Sequence, residues 1–119
     1  MSNFSTAVFL VASVLMGQAH AAAPANCGVD RAAMLAMDED AFDQGDGGWR
    51  VLEGKDGCEL AAADLIAAYR KAHPEGSTTL AWHEGQQRAF AGQSEQAIEL
   101  FDAARHPANK NKGGWNFYV

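Results

Sequence analysis

Apolar positions along the second half of the chain recur at helical spacing. From Glu59 to Ala72 the sequence is alanine-rich, with Leu65, Ile66 and Tyr69 on one side, and His73-Pro74 closes the stretch, since proline disfavours helix at the residue before it. Leu80 to Gln93 reads as a second helix ending near Gly92. Ser94 is placed to cap a third, in which Ala97, Ile98, Phe101 and Ala104 share a face. This one is expected to stop at His106-Pro107. Upstream, Asp30 to Gln44 predicts a single helix with Ala33, Met34, Met37, Ala41 and Phe42 as its core face. Trp49 to Gly54 predicts a short helix broken by Gly54 and Gly57. The last five residues apart, no segment alternates apolar and polar residues over strand length, so the expected class is all-α.

The elements are organised by a repeat. The three tryptophans, Trp49, Trp82 and Trp115, stand 33 residues apart both times, as do His73-Pro74 and His106-Pro107. Gly47-Gly48 precedes Trp49, and Gly113-Gly114 precedes Trp115. Three markers agreeing on one period imply stacked supersecondary units. The expected architecture is a short stack of antiparallel helical hairpins over residues 22–119. It has about two units, an incomplete third at 115–119, and a flexible N-terminal segment.

Within the stretch Leu80 to Pro107, Gly85, Gly92, Ala97, Phe101 and Ala104 fall where a tetratricopeptide repeat carries its small and aromatic residues, and these 28 residues resemble that family. Small residues there let two helices approach, and the aromatic fills the gap to the neighbour. The chain departs from the pattern in places. Trp82 falls one place after the usual tryptophan, Arg88 occupies an aromatic position, and Pro107 comes two residues early. The Gly54–Gly57 unit fits only with its first helix shortened. The resemblance implies a helical-hairpin solenoid that recognises a protein or peptide through first-helix positions, here Thr79, Trp82, Gln86, Ala89 and Phe90.

Composition narrows the function classes. The chain has 119 residues, enough for one domain, and a formal net charge of −6 with scattered bases. Nucleic acid is therefore not an expected partner, because phosphate neutralisation needs a concentrated basic face. Eight acids against three bases lie between Pro24 and Gly57, including Asp38, Glu39, Asp40, Asp43 and Asp46. At the N-terminus, Ala7 to Gly17 is an apolar or small-residue run of 11, too short for a bilayer and the length of a signal-peptide core. Ala19-His20-Ala21 supplies the small-x-small pattern, so residues 1–21 read as a signal peptide cut after Ala21, leaving no membrane span. Met1 to Thr6 carries no Lys or Arg, which keeps an uncleaved anchor as the alternative. A lipoprotein site at Cys27 lacks the expected apolar residue upstream. Export puts the protein in the periplasm or outside the cell, where the two cysteines, Cys27 and Cys58, are expected to pair. Two free thiols or a metal pair are the alternatives, and neither cysteine has ligand spacing around it.

The remaining motifs offer little chemistry. His83-Glu84 opens like H-E-x-x-H, but Gln87 stands at the second histidine position, so no two ligands share a helical face. Asp43-Gln44-Gly45-Asp46 cannot be laid on a calcium loop and reads as a solvated acidic turn. His73 and His106 occupy matching helix ends, where a histidine suits the dipole. No phosphate loop or nucleophile elbow is present. The expectation is an exported interaction or scaffolding module with no catalytic activity and no cofactor. The alternatives are an accessory structural subunit of an envelope complex, or a small metal-binding or hydrolytic protein. The unfinished third unit suggests three fates for the open C-terminal end: a lid formed by the tail, a homodimer through that end, or a shortened version of a longer parent. Exported material should begin at Ala22 and be lighter than its reduced form by the mass of two hydrogens. Intact mass with N-terminal sequencing checks both points, and a retained Met1 would identify an uncleaved anchor.

Overall fold

The computed structural model describes residues 26–105; the signal-peptide reading, His106-Pro107 and the C-terminal tryptophan unit lie outside them. Among the described residues the structure is all-helical. The elements are α1 (Arg31–Leu35), α2 (Glu39–Asp43), a 3-10 helix (Trp49–Val51), α3 (Glu59–Ala72), α4 (Thr79–Phe90) and α5 (Ser94–Arg105). No helix there is long and apolar enough to cross a membrane.

The expected helix from Asp30 to Gln44 is two short helices. Asp30 caps the first by accepting from the Ala33 N–H at 3.1 Å, and Asp38 caps the second by accepting from Ala41 at 2.8 Å. Aspartate at a second cap position competes with the backbone ladder and restarts the helix. The break frees two carbonyls, and side chains of the α3 end take them. The Tyr69 hydroxyl donates to Met37 O at 2.7 Å, and His73 Nε2 lies 2.8 Å from Leu35 O. His73 also stacks on Tyr69, whose other face stacks on Phe42, with ring centroids 4.1 and 3.8 Å apart. So His73 ends α3 as expected and also ties it to α1.

Residues 34–52 therefore supply one half of the core. Phe42, Trp49, Leu52 and Cys58 are buried with Ala62, Leu65, Ile66, Tyr69 and Leu80. A disulfide joins Cys27 to Cys58 at the start of α3, with the Cα atoms 5.4 Å apart and a sequence separation of 31. Closing such a loop contributes about 3–4 kcal/mol in the chain-entropy model. The bond is characteristic of an oxidising compartment. Gly48 is required just before Trp49, because a Cβ there would stand 1.9 Å from the Phe42 carbonyl oxygen.

α4 lies between α3 and α5. It joins α5 through a tight turn at Gly92, whose φ is 83°. The α4–α5 seam uses small residues: Ala81, Gly85, Ala97 and Ala104 are buried. The Phe101 ring and the Ala97 carbonyl lie directly over Gly85, and Phe101 packs against Trp82 at 4.5 Å. This is the contact that the Gly85–Ala97–Phe101 spacing predicted. The two tryptophans of the period are placed differently. Trp49 is buried in a single 3-10 turn, whereas Trp82 is half-buried in a twelve-residue helix. Ile98, expected on the core face, is 59% exposed, because it projects about 100° round the helix from Ala97 to a side that no described element covers.

Gly85→Ala separates two opposed effects. Intrinsic propensity favours alanine by about 1 kcal/mol. The new Cβ, however, would sit 2.6 Å from the Phe101 ring, and overpacking of this kind costs about 1–3 kcal/mol. A lower melting temperature is expected, and Ala97→Leu should lower it further. Thermal melts followed by circular dichroism check both.

Candidate functional site

α4 carries both polar side chains that the fold buries and the positions expected to meet a partner. Its interior part presents Glu84 and Arg88 to α3 and His83 to the end of α2, with Gln87 buried beside them. Burial forces each of these groups to find a partner. Among the described residues no buried side-chain nitrogen or oxygen is left without one.

The first cluster centres on Asp43, which is 4% exposed at the end of α2. One carboxylate oxygen takes the Trp49 indole N–H at 2.9 Å and lies 2.8 Å from His83 Nδ1. The other accepts from the Gln44 amide at 2.6 Å. Arg50 lies over the Trp49 ring, 4.6 Å from its centroid, and its Nε donates to the Asp43 backbone carbonyl. Burial on its own would push the Asp43 carboxyl up. The hydrogen bonds from His83, Trp49 and Gln44, with the charge of His83, outweigh it and hold the carboxyl below its ordinary value of 3.8. Asp43 is thus a buried anchor and not part of a solvated acidic turn. His83, which had no evident partner beyond Glu84, has one 40 residues upstream.

The second cluster begins at the next residue. Glu84 is 4% exposed and receives two guanidinium groups, Arg70 from α3 and Arg88 at 2.8 Å from one turn along α4. Arg88 also donates to the Gln93 side chain at 2.7 Å and lies 3.4 Å from Asp64. A buried carboxylate between two arginines is stable only as an assembled set, since removing one partner strands a charge. Arg88, standing where the family pattern has an aromatic, is thus held by polar contacts.

An aspartate on Nδ1 of a histidine is also how catalytic and metal-ligating imidazoles are oriented. The described residues, however, contain no group of three or more His, Cys, Asp or Glu able to hold a metal ion. They also place no hydroxyl or thiol in a hydrogen bond with this histidine. What the arrangement does here is join α2, the 3-10 helix and α4.

The positions expected to meet a partner run along the adjoining outer stripe of α4. Thr79, Trp82 and Gln86 are half-buried, and Ala89 and Phe90 are exposed, Phe90 by 73%. Their spacing puts them on one stripe. Trp82 contributes to the seam through Phe101. A cavity of about 170 Å³ opens beside the start of α4, lined by Arg70, His73, Ser77, Thr78, Leu80 and Ala103 among others. Ser77, one of its lining residues, donates its backbone N–H to Glu39 at 3.0 Å. Compared with protein-family models, with curated proteins and with solved structures, the chain matches none of them.

The Asp43 cluster makes a pH-dependent prediction. A carboxyl whose folded pKa is depressed stabilises the protein above the unfolded value, and that contribution disappears as pH falls through the lower folded value. Asp43→Asn should cost about 1–3 kcal/mol near neutral pH. The gap from the parent should narrow below the ordinary carboxylate value of 3.8. Urea unfolding at a series of pH values measures it, and a gap independent of pH would remove Asp43 from the account.

Proposed function

We propose that the protein is a non-catalytic interaction module of an oxidising, extracytoplasmic compartment, periplasmic or secreted, that binds a protein or peptide along α4. The observation that supports this most is the division of labour on α4. Its middle is committed to internal partners through His83 and Glu84, while its C-terminal end carries an aromatic, Phe90, that is 73% exposed. Large exposed apolar side chains on a rigid helix are typical anchors of recognition surfaces. The resemblance of Leu80 to Pro107 to tetratricopeptide repeats supports the same reading, and the disulfide supports the compartment. On this reading Thr79, Trp82, Gln86, Ala89 and Phe90 contact the partner, and the buried clusters keep α4 rigid beneath it.

Selection of peptides from a random display library on the oxidised protein tests the proposal. Selected peptides should share an apolar anchor, and Phe90→Ala should weaken them by at least about tenfold without changing the melting temperature, because the side chain is mostly exposed. A selection that yields no enriched sequence, or peptides indifferent to Phe90 and Gln86, would favour a purely structural subunit.

A further inference from the structure

The outer face of α5 combines an exposed apolar side chain with a one-signed rim. Ile98 is 59% exposed on a twelve-residue helix whose interior side, Ala97 and Ala104, is already buried. Glu95 precedes it by three residues, Glu99 follows it, and Asp102 lies four residues on. At helical spacing Glu95, Ile98 and Asp102 share one stripe, with Glu99 beside it. Arg105 is the only base on α5, and it is engaged by Asp102 at 3.1 Å. Ile98 therefore faces outward between two carboxylates, Glu95 and Glu99, that Arg105 does not neutralise.

The charge decides what can cover it. Two copies of the chain meeting at this face would bring Glu95 and Glu99 from each around a pair of isoleucines, and like charges oppose that pairing. An apolar partner without charge would leave Glu95 and Glu99 desolvated and unpaired. A segment with an apolar anchor flanked by lysine or arginine satisfies both demands. Resting on the reading of this protein as an interaction module, we propose that the α5 face centred on Ile98 is a second docking surface. Its occupant is a basic amphipathic segment of another protein, bound with Ile98 at the centre and Glu95 and Glu99 at the rim.

The test uses the oxidised protein and three labelled synthetic peptides followed by fluorescence anisotropy. One has leucine and lysine at amphipathic helical spacing, one keeps the lysines with serine for leucine, and one keeps the leucines with glutamate for lysine. The leucine–lysine peptide should bind saturably, and the other two at least about tenfold more weakly. Ile98→Ser should weaken the first peptide by about tenfold or more. The double variant Glu95→Gln, Glu99→Gln should weaken it several-fold, by about two- to fivefold for each charge, and flatten its salt dependence. All the substituted side chains are at the surface, so circular dichroism should be unchanged. Phe90→Ala, which tests the α4 reading, should leave this binding intact. The α5 proposal is overturned if Ile98→Ser binds the first peptide as well as the parent does, or if the serine–lysine peptide binds equally well. It is also overturned if sedimentation shows a dimer of the parent that Ile98→Ser abolishes. Loss of the α4 selection with the α5 response preserved would overturn the α4 reading alone.

Discussion

The structure depends on burying a polar helix. α4 runs between two other helices, and beyond the apolar contacts of Leu80, Ala81 and Trp82 at its start its middle reads His83, Glu84, Gly85, Gln86, Gln87, Arg88. Its place is set by polar partners on one flank and by the missing side chain of Gly85 on the other. Asp43 takes His83, Arg70 and Arg88 take Glu84, and the Phe101 ring rests on Gly85. Hydrogen bonds to buried charges are worth more than neutral ones but must be complete. This explains why the partners come from three separate parts of the chain.

The consequence for packing is an uneven core. The large side chains, Phe42, Trp49, Leu52, Ile66 and Tyr69, are collected between residues 34–58 and α3. The α4–α5 seam sets alanines and a glycine around a single aromatic pair, Trp82 and Phe101. Stability is thus concentrated on the disulfide-bonded side. The hairpin that carries the exposed Phe90 and Ile98 leans on that side through specific polar contacts.

Much of this was legible in the sequence. The extent of α3 and the hairpin turn at Gly92 follow from spacing, since helix periodicity is a local rule, while the close approach at Gly85 and Ala97 came only with the family resemblance. The cysteine pairing followed from there being only two. Glu84 and Arg88 stand at i, i+4 and could have been paired on that ground. The break at Asp38 was harder to see, because Met34, Met37, Ala41 and Phe42 keep an apolar period across it. It becomes stable only when Tyr69 and His73, more than thirty residues away, take the freed carbonyls. Asp43 and His83 are separated by 40 residues and share no motif. Nothing near Asp43 distinguishes it from Asp40 or Asp46 except its place beside Phe42 at the end of a core-facing turn.

The clasp between Cys27 and Cys58 also makes the intervening chain a covalent ring. That ring contains the aspartate caps, the tryptophan turn and half of the large core side chains. A single backbone cut within it, for instance at the exposed turn between Glu53 and Gly57, would open the ring without releasing either piece. The severed ends would remain tethered through sulfur at one end and through Tyr69, His73 and His83 along the body. The part of the molecule with the most irregular backbone is thereby the part whose two ends stay joined after a single nick.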